Sequence, residues 1–482
     1  MASNQINISG WNNGGISDSR WSGLSDSLYR MVGVDPHSEP AVLKAEQKLK
    51  KDSGSIVTEL VKYQVVSTNG RTYHFSSESG KIWERTSTGT WSLVHTTTPS
   101  VGEAKCLGAI EFNGYIIWAT QSKLHRILAT NAEGAEEWAA NVEEDWQTFS
   151  RTNAFFHPMM EQNLNLYIGD SNYLAEWNAD DGVFTPDALD LESCYNIKCL
   201  AKIGTDLAIG TKINDTVAKS SIFRWNTWSV SFTTSDEVNE VGINAFIQAD
   251  NFLYVSAGHS GNIYSYDGER LELYRKIQGS YSPTATCHVN PDATTVLDNQ
   301  VLVGVSNGTG NPCLSGVYRI GRHSRNYSWI MDLAYPISLR NGTNLVTSDV
   351  EIGSIVTLGQ QILVSWKSGT SCGVDILDPD NKLDGAYIET RVMRPDRLTH
   401  STFQKFTMAY NSLPAGTSLT LSYDKNYAGS YTTPTSSQVV DTDRKIITLE
   451  EGIEATALQL KVVFTCSSNS TPSLESLDVF LT

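Results

Sequence analysis

Three kinds of side chain in this sequence could do chemistry at the spacings they occupy: neighbouring carboxylates, a close pair of cysteines and scattered histidines. Glu136-Glu137, Glu143-Glu144-Asp145 and Asp180-Asp181 could hold the acid and base of glycoside hydrolysis. Adjacent residues of a strand point to opposite faces, however, so sequence neighbours make poor pairs, and solvated loops explain these clusters better. Cys194 and Cys199 lie close together, but no second Cys or His pair of matching spacing completes a zinc site. His157, next to Pro158, and His259 read as loop residues rather than bases. The chain has no Gly-x-Ser-x-Gly, His-Glu-x-x-His or phosphate-binding glycine loop. No catalytic, metal-ligating or cofactor-binding residue is assigned, no cofactor is expected, and the chain is not expected to be an enzyme.

The elements that would position any site are strands. A short apolar run recurs at Thr72–Phe75, Tyr115–Trp118, Leu166–Ile168, Leu207–Ile209, Leu253–Val255, Val301–Val303 and Ile362–Val364, in steps of 41 to 61 residues. Most are preceded by a polar turn such as Asn113-Gly114 and several are followed by glycine, such as Gly210, the pattern of a strand buried on both faces. A second run follows each one and usually carries an aromatic, as in Ile222-Phe223-Arg224-Trp225. A third then pairs with it across a tight turn such as Asp267-Gly268. A three-part unit at roughly 40 to 50 residues is the period of a propeller blade, and it predicts a β-propeller of six or seven blades over residues 56–390. A large sandwich would show many short strands too, but not the recurrence of one unit.

Ser76-Ser77-Glu78-Ser79-Gly80-Lys81-Ile82-Trp83 resembles the sialidase Asp-box, with Glu in place of Asp, and degenerates at Ala257 to Tyr264. That box stabilises a turn, so it supports blade geometry rather than activity. The three arginines and tyrosine nucleophile that a sialidase needs are not identifiable in the order of the chain.

Both flanks depart from the repeat. Residues 1–55 alternate aromatics with turn formers and read as an extended arm that docks on a partner, with Trp11, Arg20, Trp21, Tyr29 and His37 as candidate contacts. The basic run Lys44, Lys48, Lys50, Lys51 fits a short helix or a strand that closes the ring, as a solvated face or docked on an acidic neighbour. Residues 391–482 give clean period-2 strands, Phe403–Ala409, Leu419–Tyr423, Lys445–Leu449, Leu458–Phe464 and Leu477–Leu481, and predict an antiparallel β-sandwich.

Composition sets limits on partners and compartment. The 36 basic against 53 acidic residues give −17, which repels phosphate and argues against a nucleic-acid-gripping surface, though not against an acidic channel along which DNA passes. Seven cysteines at irregular spacing read as reduced thiols, and the N-terminal segment has no basic and apolar stretch of an export signal. No run of apolar residues is long enough to span a membrane.

The arm, repeats and sandwich together resemble virion structural proteins of tailed bacteriophages, the β-propeller nozzle or tail hub proteins of short-tailed phages. The residues that carry this run from Gly14-Gly15-Ile16-Ser17-Asp18-Ser19-Arg20-Trp21-Ser22-Gly23 through Asp26–Tyr29, Val32–Asp35 and His37–Pro40. Lys405-Phe406, Leu413–Thr417 and Thr471–Leu474 add to them. The resemblance implies a ring homo-oligomer, often a hexamer, stacked on an adaptor or portal and carrying fibre or needle proteins around the path of DNA ejection. It implies a place in the virion tail after assembly in the host cytoplasm. The competing expectation is a carbohydrate-binding or polysaccharide-degrading propeller that engages the host surface.

Overall fold

The computed structural model describes residues 4–21, 26–54, 56–98, 104–151, 155–249, 252–278, 286–308, 310, 313–394, 401–433, 438–439 and 453–481. Contacts divide the chain into two compact units, one comprising residues 51–315 and 348–376, the other residues 1–50, 316–347 and 377–482.

The first unit is a seven-bladed β-propeller. Its inner strands, Val61–Val66, Gly108–Phe112, Met159–Gln162, Asn196–Ile203, Ile243–Ala249, Cys287–Leu297 and Glu351–Leu358, each pack on the next, and the seventh packs on the first. Behind each of the first five stands a complete four-stranded antiparallel meander in chain order. The sixth inner strand pairs with Gln300–Asn307, and the seventh with Gln361–Ser368. The predicted apolar runs are the second strands of their blades, and the Ile116, Ile117 and Trp118 side chains are all buried, as a strand covered on both faces requires. Asn113-Gly114, both at positive φ, makes the two-residue hairpin that the right-handed twist of paired strands favours. Asp267 Oδ1 accepts from the backbone N–H groups of Glu269 and Arg270 at 2.9 and 2.8 Å, so the predicted Asp-Gly turn forms between Tyr266 and Leu271. Blades cohere through rings buried between them: Tyr73, Phe75, Trp118 and Trp138 form one cluster, with Trp138 supplied by the inserted helix Gly134–Asn141. Asp52 and Ser53 donate backbone hydrogen bonds to Val374 O, so chain that precedes the first blade latches the last one.

The second unit carries two sheets. One has the order Val34–Asp35, Leu43–Ala45, Ser473–Leu481, Ser401–Tyr410, Ile453–Ala455, with Asn4–Ile8 also paired to Ser473–Leu481. The other runs Gly316–Gly321, Ile330–Tyr335, Arg30–Val32, Ala386–Glu389, Leu458–Thr465, Ser418–Lys425, Gln438–Val439. Four of the five predicted C-terminal strands are present, and Lys445–Leu449 lies outside the described residues.

The linear division at residues 55 and 390 is corrected by this unit. Arg30–Val32 inserts between Ile330–Tyr335 and Ala386–Glu389, so the N-terminal segment is woven into the sheets instead of forming a separate arm. The basic run is strand Gln47–Lys51, not a helix, and Lys48 and Lys50 reach Asp378 at 3.9 and 3.5 Å. At the centre lies Arg319, buried, with Nη2 2.9 Å from Asp332 Oδ2 and Nη1 2.7 Å from Glu46 Oε2. His37 Nε2 stands 2.9 Å from Asp332 Oδ1. Burial disfavours the Arg319 charge, but the neighbouring carboxylates more than offset this and hold it firmly protonated. Among the described residues, no helix is long and apolar enough to cross a membrane.

Candidate functional site: the propeller axis

Inner strands side by side around one axis turn alternate residues toward it. Polar residues recur there. Lys62 and Gln64 come from the first inner strand, Lys198 from the fourth, His288, Asn290 and Asp292 from the sixth, and Glu351 from the seventh.

Near the strand starts, Lys62 pairs with Glu351 at 2.9 Å and Lys198 Nζ donates to Asn244 Oδ1 at 2.7 Å. Burial, helped by the Lys212 charge, lowers the Lys198 pKa to about 8. Burial and then the Lys198 ammonium lower His288 to about 4. Burial alone would raise Glu351, but Lys62 reverses this and holds its carboxyl below the ordinary range. At neutral pH this end of the axis therefore presents two ammonium groups, a carboxylate and a neutral imidazole. It is a locally basic spot in an acidic chain.

Further along the strands the axis widens into a cavity of about 540 Å³. Met159, Met160 and Phe246 give it apolar walls. Thr295 and Thr357 also line it, but their hydroxyls bond each other at 2.8 Å. Two other lining groups are not satisfied. Gln64 is 7% exposed, and neither its Oε1 nor its Nε2 has a hydrogen-bond partner. Asp292 feels burial with no cation or donor among the described residues to offset it, which raises its carboxyl to about 7. Its position follows from a local irregularity: the register with Gln300–Asn307 slips between Val289 and Thr294, at Pro291, which has no N–H for the ladder. The bulge turns Asp292 into the cavity. Val66 and Val296, 42% and 44% exposed, lie at its rim, so the cavity opens toward the ends of the inner strands.

None of the residues weighed in the sequence for chemistry converges here except Cys199, whose thiol burial raises to about 12. Cys194 is exposed and apart from it, and no cluster of metal-ligating type occurs among the described residues. Glu136 and Glu137 sit on the short helix, Glu143 pairs with Arg126 at 2.9 Å, Glu144 with His95 at 2.8 Å, and Asp180-Asp181 occupy a hairpin turn. His157 is buried between the Gly169 and Gln121 carbonyls and lowered by burial to about 4. In the box-like turn, Ser76 Oγ accepts from the backbone N–H groups of Glu78 and Ser79 at 3.0 Å each, and Trp83 is buried. These are the contacts of a turn staple.

The five candidate partner contacts fall in the second unit, and two are not at the surface. Trp11 is fully buried, with Nε1 donating to Glu475 O at 3.2 Å, and His37 is engaged with Asp332. Their apolar and hydrogen-bonding demands are met inside the chain, which corrects the expectation that they face a partner. Tyr29 is half-buried under the Arg20 guanidinium, 4.6 Å from its ring centre. Trp21 remains 50% exposed, edge-on to Tyr427 and capped by Arg394.

The axial residues were legible as an alternation, His288-x-Asn290-x-Asp292-x-Thr294, in a segment that lacked the apolar run of its neighbours. No sequence rule said which face of that strand met the axis.

No protein-family model matches the chain, and no curated protein matches it. Solved structures do. A streptogramin B lyase is similar over 69% of this chain and 98% of its own, at 14% identity and a TM-score of 0.47. A catalytically inactive virginiamycin B lyase from Staphylococcus aureus with quinupristin is similar over 69% and 100%, at 15% identity and 0.48. The extracellular domain of a putative hybrid two component system from B. thetaiotaomicron aligns over 81% of this chain but 45% of its own, at 11% identity and 0.46.

Proposed function

We propose that the chain is a structural subunit of a bacteriophage tail. In this reading it is a nozzle- or hub-like ring component that stacks on an adaptor or portal, carries further tail proteins and surrounds the DNA ejection path. It acts by assembly, without a catalytic residue of its own.

One observation carries this reading. In a four-stranded meander, the hairpins between first and second strands and between third and fourth strands lie at the same end. Trp228 (84% exposed), Val230 (96%), Leu164 (65%) and Val183 all sit in such hairpins, so large apolar side chains stud one end of the propeller. Leu164 is in the left-handed region at φ 64, where a bulky side chain costs energy and glycine would not. Exposed apolar groups amid acidic hairpins such as Asp180-Asp181 suit a docking face, since a free monomer gains nothing by keeping them in water. A charge of −17 per subunit, multiplied around a ring, would keep passing DNA from sticking.

Size-exclusion chromatography with light scattering tests the assembly, and imaging of virions with a specific label tests the location. A sixfold or twelvefold ring that copurifies with tails is expected. A monomer or trimer that releases reducing sugar from host polysaccharide would overturn the proposal in favour of the carbohydrate-active alternative.

A further inference from the structure

We propose that the axial cavity is a binding site for a small organic monocation, a primary ammonium group carried on an apolar body, held by Asp292 and Gln64. This inference does not rest on the ring assembly or on the tail.

The argument starts from what is missing inside the cavity. Buried amide groups are nearly always hydrogen-bonded, because an unmade bond leaves the group's lost hydration uncompensated. Gln64 is more than nine-tenths buried and lines the cavity with both its donor and its acceptor unmet. Asp292 lines the same space with no cation beside it and no hydrogen bond among the described residues; its titratable neighbours are the Tyr63 phenol and the Cys106 thiol, both neutral acids at pH 8. Taking a lone carboxylate partly out of water without a partner is unfavourable. A group that brings N–H donors and one positive charge satisfies the carboxylate and the Gln64 Oε1 together, and leaves Gln64 Nε2 for an acceptor on the same molecule.

The walls define the rest of the ligand. Met159, Met160 and Phe246 offer apolar and aromatic surface, and methionine adapts to varied shapes. A space of about 540 Å³ falls in the range of small-molecule sites. With a single unpaired carboxylate among the lining residues, a monocation matches the charge and a dication or an anion does not. Lys62 and Lys198 at the strand starts set the polarity of the axis. They repel a cation from that end, while entry past Val66 and Val296 lies open.

Isothermal titration with a panel of alkyl- and arylammonium ions of four to twelve carbons tests the site, with 2-phenylethanol as the uncharged match to phenethylammonium. At least one ammonium ion is expected to bind the full chain with a Kd below 1 mM at pH 8, and at least tenfold more tightly than its alcohol counterpart. Affinity should fall about tenfold per pH unit below about 7, as Asp292 takes up a proton. Asp292→Asn should abolish this pH dependence and weaken binding at least tenfold. Gln64→Leu should weaken binding while keeping the pH dependence. Far-ultraviolet circular dichroism and thermal melting of both variants confirm folding. Failure of the whole panel to bind, equal affinity for alcohol and ammonium, or an affinity unmoved in Asp292→Asn would each overturn the proposal. None of these results would bear on ring formation, which light scattering reads separately.

Discussion

Asp292→Asn exchanges the cavity carboxyl for a neutral amide of nearly the same size, so packing is held constant while a titrating group is removed. In the folded chain burial raises this carboxyl from 3.8 to about 7. A folded-state pKa above the unfolded one means that folding favours the protonated form. The stability this gives is complete below the unfolded value and is lost as pH rises through about 7. At about 1.36 kcal/mol per pKa unit, the loss has an upper bound of roughly 4 kcal/mol. Water that enters the cavity solvates part of the carboxylate and reduces that figure. Between pH 5.5 and 8.5 we therefore expect the stability of the variant relative to the native chain to grow by about 1–2 kcal/mol. The growth should level off above pH 7.5. Urea denaturation at half-unit pH intervals measures it, and the difference between the two curves cancels the histidines and lysines common to both. Parallel curves, or a variant less stable at pH 8, would show that Asp292 is solvated or paired and would refute the account of the cavity.

Other consequences are as direct. Arg319→Met leaves Asp332 and Glu46 buried without their cation and should cost about 3–5 kcal/mol in chemical denaturation. Trp138→Ala empties a ring-lined space between the first two blades and should cost roughly 3–5 kcal/mol by the same measurement. Leu164→Gly relieves the left-handed backbone strain and should raise stability by about 0.5–1 kcal/mol, yet loosen ring assembly read by light scattering. Trp228→Ser with Val230→Ser should leave the melting temperature of the monomer within about 2 °C while shifting the ring toward monomer.

How much of this was legible beforehand differs from one part of the chain to another. The blades were, because a strand buried on both faces writes a local apolar run, and Tyr115–Ala119 or Phe252–Ala257 carries that signature without help from distant chain. The woven second unit was not. Arg30–Val32 acquires its strand partners some 300 residues away, and nothing near Met31 encodes Leu333 or Ile388. Trp11 looked like an exposed aromatic because its neighbours are turn formers, but its burial is decided by chain near Glu475. The axial site was half legible: the polar alternation at His288 to Thr294 is local, whereas the slip that turns Asp292 inward depends on pairing with Gln300–Asn307.

The pairing of Asn4–Ile8 with Ser473–Leu481 also orders events in time. A ribosome delivers the first of these strands hundreds of residues before the second, and in that interval its backbone donors and acceptors have no native partner. The first five blades, built from neighbours in sequence, can settle one after another as they emerge, while the second unit must wait for Ser473–Leu481. A nascent chain stalled short of Ser473 should therefore protect blade amides from hydrogen exchange and leave Asn4–Ile8 open. Once Ser473–Leu481 has emerged, its pairing with Asn4–Ile8 would form in a single late step.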